Sequence, residues 1–208
     1  MKVWSDSYAH GAAIPARFAF GRPDAATHVT LSDNVSPHVA WSDLPAGTRS
    51  LALVLVDIDV PSVGTDVNQQ GRTVPASLPR VPFYHWLVAH IAPTRTGFAE
   101  GEACRGVTPR GKAGPGGGDG MLHGQNDYTG WFAGDPDMAG TYFGYDGPCP
   151  PWNDERIHRY QLTVYALDVD RLDLAGAFTG DRLLAAIAGH VLGSAGFEGT
   201  YTLNPALR

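Results

Sequence analysis

Three segments of the chain alternate apolar and polar positions with the period of a β-strand, and each row ends in titratable residues. In a strand successive side chains point to opposite faces, so every second residue shares a surface. Over residues 50–59, Leu51, Leu53, Leu55, Asp57 and Asp59 make one row, and Ala52, Val54, Val56 and Ile58 make the other. Over 83–91 the same period puts His85, Leu87, Ala89 and Ile91 on one face. Over 157–167 it puts His158, Tyr160, Leu162, Val164 and Ala166 together. An ionised carboxylate that continues an apolar row is costly unless it is paired or reaches water. For Asp57 and Asp59 taken alone, a strand-end turn before Pro61 and a pocket are equally good readings. Three rows with the same ending favour convergence at one sheet edge.

The remaining pattern is mostly β. Residues 14–20 and 28–31 read as short early strands, 33–37 as a turn and 38–41 as a brief strand before the turn at 44–48. Residues 62–80 have no period and read as a loop. Residues 105–128, centred on Gly114-Pro115-Gly116-Gly117-Gly118, read as a Gly-rich surface loop. No strand-to-helix context accompanies it, so it is not expected to cradle a nucleotide phosphate. Residues 129–152 carry Trp131, Phe132, Tyr142, Phe143, Tyr145 and Trp152, and are expected to wall a ligand pocket rather than only pack on the body. The clearest helix starts at Thr179 or Gly180. Its stripe is Leu183, Leu184, Ile187, Val191 and Leu192, with Gly193 as the expected stop and 199–203 as a last strand.

Composition narrows the class. The chain has 208 residues, 43% hydrophobic and 17% charged, which suits one globular domain spanning 1–208. Abundant Gly (26) and Pro (16) fit a loop-rich β fold better than a bundle. A net charge of -6 with scattered basic residues argues against nucleic acid as a partner. No apolar run reaches the roughly 20 residues of a membrane span, and the first residues lack a signal-peptide core, so a cytoplasmic location is expected. Cys104 and Cys149 have no metal-ligand spacing and read as free thiols.

Several motifs in order resemble the phosphatidylethanolamine-binding protein (PEBP) family, in particular its bacterial branch known as Raf-kinase-inhibitor-like. Asn34-Val35-Ser36-Pro37-His38-Val39-Ala40-Trp41 with Leu44-Pro45-Ala46-Gly47-Thr48 resembles the family's NxSPxLxW…PAGTKS entry. Asp57-Ile58-Asp59-Val60-Pro61 is similar to DPDAP, and His85-Trp86-Leu87-Val88-Ala89-His90-Ile91 to HWxVxNI. Gly147-Pro148-Cys149-Pro150-Pro151 followed by His158-Arg159-Tyr160 is similar to GPxPP…HRY. The resemblance implies a two-sheet antiparallel β fold with Greek-key elements, a C-terminal helix and an anion pocket at one edge of the large sheet. By position it makes Asp57, Asp59, Pro61, His85, His158 and Tyr160 ligand-binding residues, with Gly147 and Pro150 on the rim. It further implies a cis peptide at Pro150 or Pro151, and a homodimer. Ile58 replaces the usual Pro and His90 the usual Asn, and the segments 62–80 and 105–145 are longer than a compact bacterial member needs.

Two functions compete. The favoured one is a binding protein for a small anion, a phosphate ester or phospholipid head group, with no cofactor. The alternative is an enzyme that encloses an organic substrate, with His85 or His158 as acid or base and Asp57 or Asp59 as its orienter. A metal site built from the same four residues is the least favoured reading. A hydrolase is less favoured, because the chain has no G-x-S-x-G elbow and neither Cys has a nearby His in sequence.

Overall fold

The computed structural model describes every residue except Ala175. Its centre is a pair of the strands foreseen from alternation: β5 (Ser50–Pro61) and β9 (His158–Leu167) run antiparallel in one unbroken register. Leu51 faces Ala166, Leu53 faces Val164, Leu55 faces Leu162 and Asp57 faces Tyr160. The apolar rows of the two strands therefore coincide, and both hand over to polar groups at the same end. β6 (Arg80–Ile91) flanks β5 on the other side, followed by the short β8 (Leu122–His123), while β10 (Val191–Tyr201) lies beyond β9. The order β10-β9-β5-β6-β8 brings β9 back beside β5 after β6 and β8 have formed on its far side, which is a Greek-key connection.

A second antiparallel sheet, β1 (Lys2–Trp4), β4 (Val39–Ser42) and β7 (Gly97–Phe98), covers one face of the first. Its Val39, Trp41 and Phe98 pack with Leu51, Leu53, Leu55, Trp86, Val88, Leu162 and Val164. Helix α2 (Gly180–Ile187) and the segment around Leu172 and Phe178 cover the opposite face, where Ala52, Val54, Leu87 and Ala89 meet Leu183 and Ile187. A hairpin of β2 (Gly21–Asp24) and β3 (His28–Leu31) and a one-turn helix α1 (Tyr128–Trp131) complete the fold.

Four expectations are corrected. His85 does not share a face with Leu87 and Ala89. Leu55 pairs with Trp86 but Val56 pairs with Tyr84, so His85 is the extra residue of a bulge. Its ring lies 5.3 Å from that of Tyr160, on the side of Trp86 and Val88. A bulge re-aims a side chain without breaking the strand, which simple alternation cannot foresee. A second irregularity falls at His90, whose φ of 60° lies in the left-handed region that Asn, Asp and His enter most readily. The C-terminal helix stops at Ile187. Gly189 (φ 85°) turns the chain back, so Val191 and Leu192 open β10 rather than extend the helical stripe, and the last strand runs 191–201 instead of 199–203. Residues 14–20 form no strand; Ala16–Phe18 make a 3₁₀ turn. The cis peptide lies at Gly114–Pro115, not in the 147–151 loop.

Candidate functional site

At the end of the shared row, β5, β6 and β9 floor a cavity of about 430 Å³. Asp57, His85, His158 and Tyr160 supply the floor. His158 is fully buried between two carboxylates, its Nδ1 2.7 Å from Asp57 Oδ2 and its Nε2 3.1 Å from Asp154 Oδ2. Burial alone would depress its pKa, but the Asp57 charge and the hydrogen bonds to Asp154 and Asp57 prevail and hold it at about 9. At neutral pH His158 is therefore an imidazolium with both N–H groups already given to the protein. Asp57 spends its other oxygen on the backbone N–H of Asp59 at 2.8 Å.

His85 is built differently. Its Nδ1 donates to the Asp146 carbonyl at 2.7 Å, and its Nε2 has no partner among the described residues. Burial pushes its pKa below the ordinary histidine value, so the ring is neutral and Nε2 offers a lone pair. Beside it, the Tyr160 hydroxyl is buried and without a hydrogen-bond partner among the described residues. Burial and then the nearby Asp57 charge keep that phenol protonated, well above its usual range.

Two buried charge networks hold this floor. Arg80 clamps Asp154 through both terminal guanidinium nitrogens, Nη1 and Nη2, at 2.5 and 3.0 Å, so the chain of partners runs Arg80–Asp154–His158–Asp57. Behind His85, the buried Asp146 carboxylate accepts from Asn34 and Asn126 at 2.8 Å each and from Lys112 Nζ at 2.7 Å. The Asp146 N–H also donates to the His85 carbonyl at 3.0 Å, so main-chain and ring contacts together fix the histidine.

The walls are apolar. Phe20 stacks on Tyr128 (4.6 Å), Tyr128 on Phe132 (5.4 Å), and Phe83 meets Tyr128 edge-on (5.2 Å). Trp131, Leu31, Val67, Cys149, Pro150 and Pro151 extend the lining. The Cys149 thiol is pushed up to about 12 by burial, which makes it an inert apolar surface rather than a nucleophile. Loop 62–80 reaches the wall because Asn153 organises it: its Nδ2 donates to the Asp66 and Arg72 carbonyls and its Oδ1 accepts from the Asn68 N–H. Asn153→Ala is expected to cost about 2 kcal/mol, because several loop groups lose their partner at once. Urea unfolding with limited proteolysis checks this; unchanged stability and an uncut loop would show that the loop holds itself.

Of the residues expected at the site, Asp57, Pro61, His85, Pro150, His158 and Tyr160 line the cavity, while Asp59 and Gly147 do not. Asp59 is drawn away by Arg159, which meets it through N, Nε and Nη2, and by Arg156. Burial alone would raise the Asp59 pKa, but Arg159 holds it low. Gly147 sits behind the floor, where an added Cβ would lie 2.0 Å from the Phe18 carbonyl and its N–H donates to Asn34. The four-residue metal grouping therefore does not assemble, and no group of three metal-ligating side chains occurs among the described residues. The aromatic segment divides: Trp131 and Phe132 wall the cavity, whereas Tyr142 and Tyr145 are core residues and Trp152 stacks on His28. Sequence reasoning missed Asp146, Lys112, Asn126, Asp154 and Arg80. Asn34 stood in a quoted motif, but without a role.

Two packed antiparallel sheets with a cavity at the strand ends define a fold shared with known structures. Escherichia coli YbcL, described as a member of the mammalian PEBP family, superposes with a TM-score of 0.67 over 97% of each chain at 22% identity. A PEBP homologue from Chlamydia trachomatis gives 0.61 over 96% of this chain and 95% of that one at 26% identity. The family model of phosphatidylethanolamine-binding protein matches residues 4–202, and the chain belongs to that family. A UPF0098 protein of Methanothermobacter thermautotrophicus is 33% identical, covering 81% of this chain and 83% of its own length. The UPF0098 protein YbhB of Escherichia coli K12 is 29% identical over 97% of this chain and all of its own. No helix among the described residues is long and apolar enough to cross a membrane.

Proposed function

We propose that the cavity binds a small acidic head group, of the phosphate-ester or phospholipid-head type, through Tyr160 and His85. The observation that carries this reading is the Tyr160 hydroxyl, buried without a hydrogen-bond partner among the described residues on the floor of a cavity with apolar walls. A buried unpaired donor costs roughly 1–3 kcal/mol, which a ligand oxygen accepting from it would recover. The second anchor is His85 Nε2. An acidic ligand either donates its proton to that nitrogen or, arriving as the anion, draws a proton onto it and accepts it back as a hydrogen bond. His158 and Asp57 do not contact the anion as free charges. They neutralise each other and shape the floor.

His85→Ala and Tyr160→Phe are each expected to weaken binding of inorganic phosphate and phosphoethanolamine by about tenfold, the equivalent of one hydrogen bond to a charged group. Calorimetric titration of the folded variants reads this. Wild-type affinity in both variants, or no binding by the native protein, would remove the proposal.

A second reading has a specific observation in its favour. A neutral His85 with Nδ1–H pinned is also a competent general base for a substrate held in the cavity. Turnover of an enclosed compound that stops in His85→Ala would establish it. The cytoplasm is the compartment we propose, on the strength of two cysteines that are not bonded to each other.

A further inference from the structure

The cavity is much larger than the head group its floor can hold. Its volume of about 430 Å³ is on the order of fourteen times the share of one liquid water. That falls within the range of sites for drug-sized organic ligands, and a lone phosphate would leave most of it unfilled. Among the described residues, the only charged side chains in the lining are Asp57 and His158, and they pair with each other. Among the described residues no lysine or arginine lines it, so the outer part of the chamber offers no positive charge to a second anionic group.

It offers aromatic surface instead. Phe20, Phe83, Tyr128 and Phe132 form a contiguous array of stacked and edge-on rings. The single polar handle in that array, the Tyr128 hydroxyl, is turned back to the Gly147 carbonyl at 2.8 Å, so Tyr128 presents only its ring. At the mouth, Trp131 and Leu31 line the cavity yet stand 52% and 57% exposed, which leaves large apolar surface open to a ligand. Separate segments build this outer chamber: α1 supplies Trp131, β3 supplies Leu31, and loop 62–80 supplies Gly64 and Val67.

We infer that the ligand of this site is an aryl-bearing acidic ester, its acidic head on Tyr160 and His85 and its planar apolar substituent against the Phe83–Tyr128–Phe132 wall under Trp131. The inference rests on the head-group reading above and adds the class of the substituent. Aromatic rings in such an array gain from stacked and edge-on contact beyond the area they bury, which sets an aryl group ahead of a small alkyl one.

Calorimetric titration with inorganic phosphate, methyl phosphate and phenyl phosphate separates the two claims. Phenyl phosphate is expected to bind at least about tenfold more tightly than methyl phosphate, the result of burying one ring. Gly64→Phe gives a control that spares the floor. A Cβ at Gly64 meets nothing within 4 Å, so the variant should fold, and its side chain competes for the outer chamber. In that variant the advantage of phenyl over methyl phosphate should disappear. Equal affinities for all three probes in the native protein would overturn the aryl inference and leave the head-group reading standing. An aryl advantage that survives unchanged in both Gly64→Phe and Trp131→Ala would place the ring outside this chamber and overturn the inference as well. Binding of none of the three would overturn both claims.

Discussion

Asp146→Leu is expected to destabilise the protein by about 3–5 kcal/mol, the usual consequence of removing one member of a buried ion pair. Asp146 is fully buried and its carboxylate is the common acceptor for Lys112, Asn34 and Asn126. Without it the Lys112 ammonium keeps only the Tyr145 carbonyl and the Cys104 sulfur, and neither offsets its charge. The two amide groups lose an acceptor in places water does not reach. In a chain of this length each kcal/mol moves the melting temperature by roughly 2–4 °C, so a drop of about 10 °C is expected. Urea unfolding gives the free energy directly, and a loss below about 1 kcal/mol would mean that the ammonium escapes to solvent. The effect extends to the site, because the same residue's backbone holds His85 at both its carbonyl and its ring. In the milder Asp146→Asn, which removes the charge and keeps the shape, any residual phosphate binding reports whether His85 stays in place.

Raising the pH from 6.5 to 9 is expected to remove about 3 kcal/mol of stability, and His158 is the cause. Its pKa stands at about 9 in the folded protein and near the ordinary 6.5 when unfolded. A histidine whose folded pKa is raised contributes stability that is fully present below the unfolded value. That contribution fades as pH rises through the folded value, because the unfolded chain gives up the proton first. Below pH 6.5 other groups act in the opposite direction. His85, His90 and His123 have depressed values, the last about 4, so the unfolded chain gains protons there that the fold excludes. Asp154 adds to this at still lower pH: burial alone would raise its carboxyl, but His158 and Arg80 hold it low. Stability should therefore peak near pH 6.5. Unfolding free energies measured between pH 5 and 9 in the native protein and in His158→Gln test the assignment. The variant is weaker at pH 6.5, but its decline from 6.5 to 9 should vanish. An undiminished slope in His158→Gln would place the titrating group elsewhere.

Alternation along the chain was enough to mark the two central strands and the apolar rows that lead to the site. Leu51, Leu53 and Leu55 share a face with Asp57, and Leu162 and Val164 share one with Tyr160, because the period of two is a property of the backbone and needs no partner. The motifs around Asp57, His85 and His158 placed the chain in its family. What each polar group does was decided only by the tertiary structure. Asp57 and Asp59 are indistinguishable in the strand pattern, yet one floors the cavity and the other pairs with Arg159, because the strand register brings β9 under one and an arginine beside the other. His85 reaches the cavity through an extra residue in β6 that exists only in its pairing with β5. Lys112 and Asp146, or Arg80 and Asp154, meet across 34 and 74 positions of chain, a distance that no local period encodes. The apolar residues after Ile187 continue a helical stripe on paper, but the turn at Gly189 and the open edge of β9 claim them for a strand. Short-range backbone geometry is written in the order of residues. Which charges end up paired, and which hydroxyl is left without a partner, follows from how distant segments close on one another.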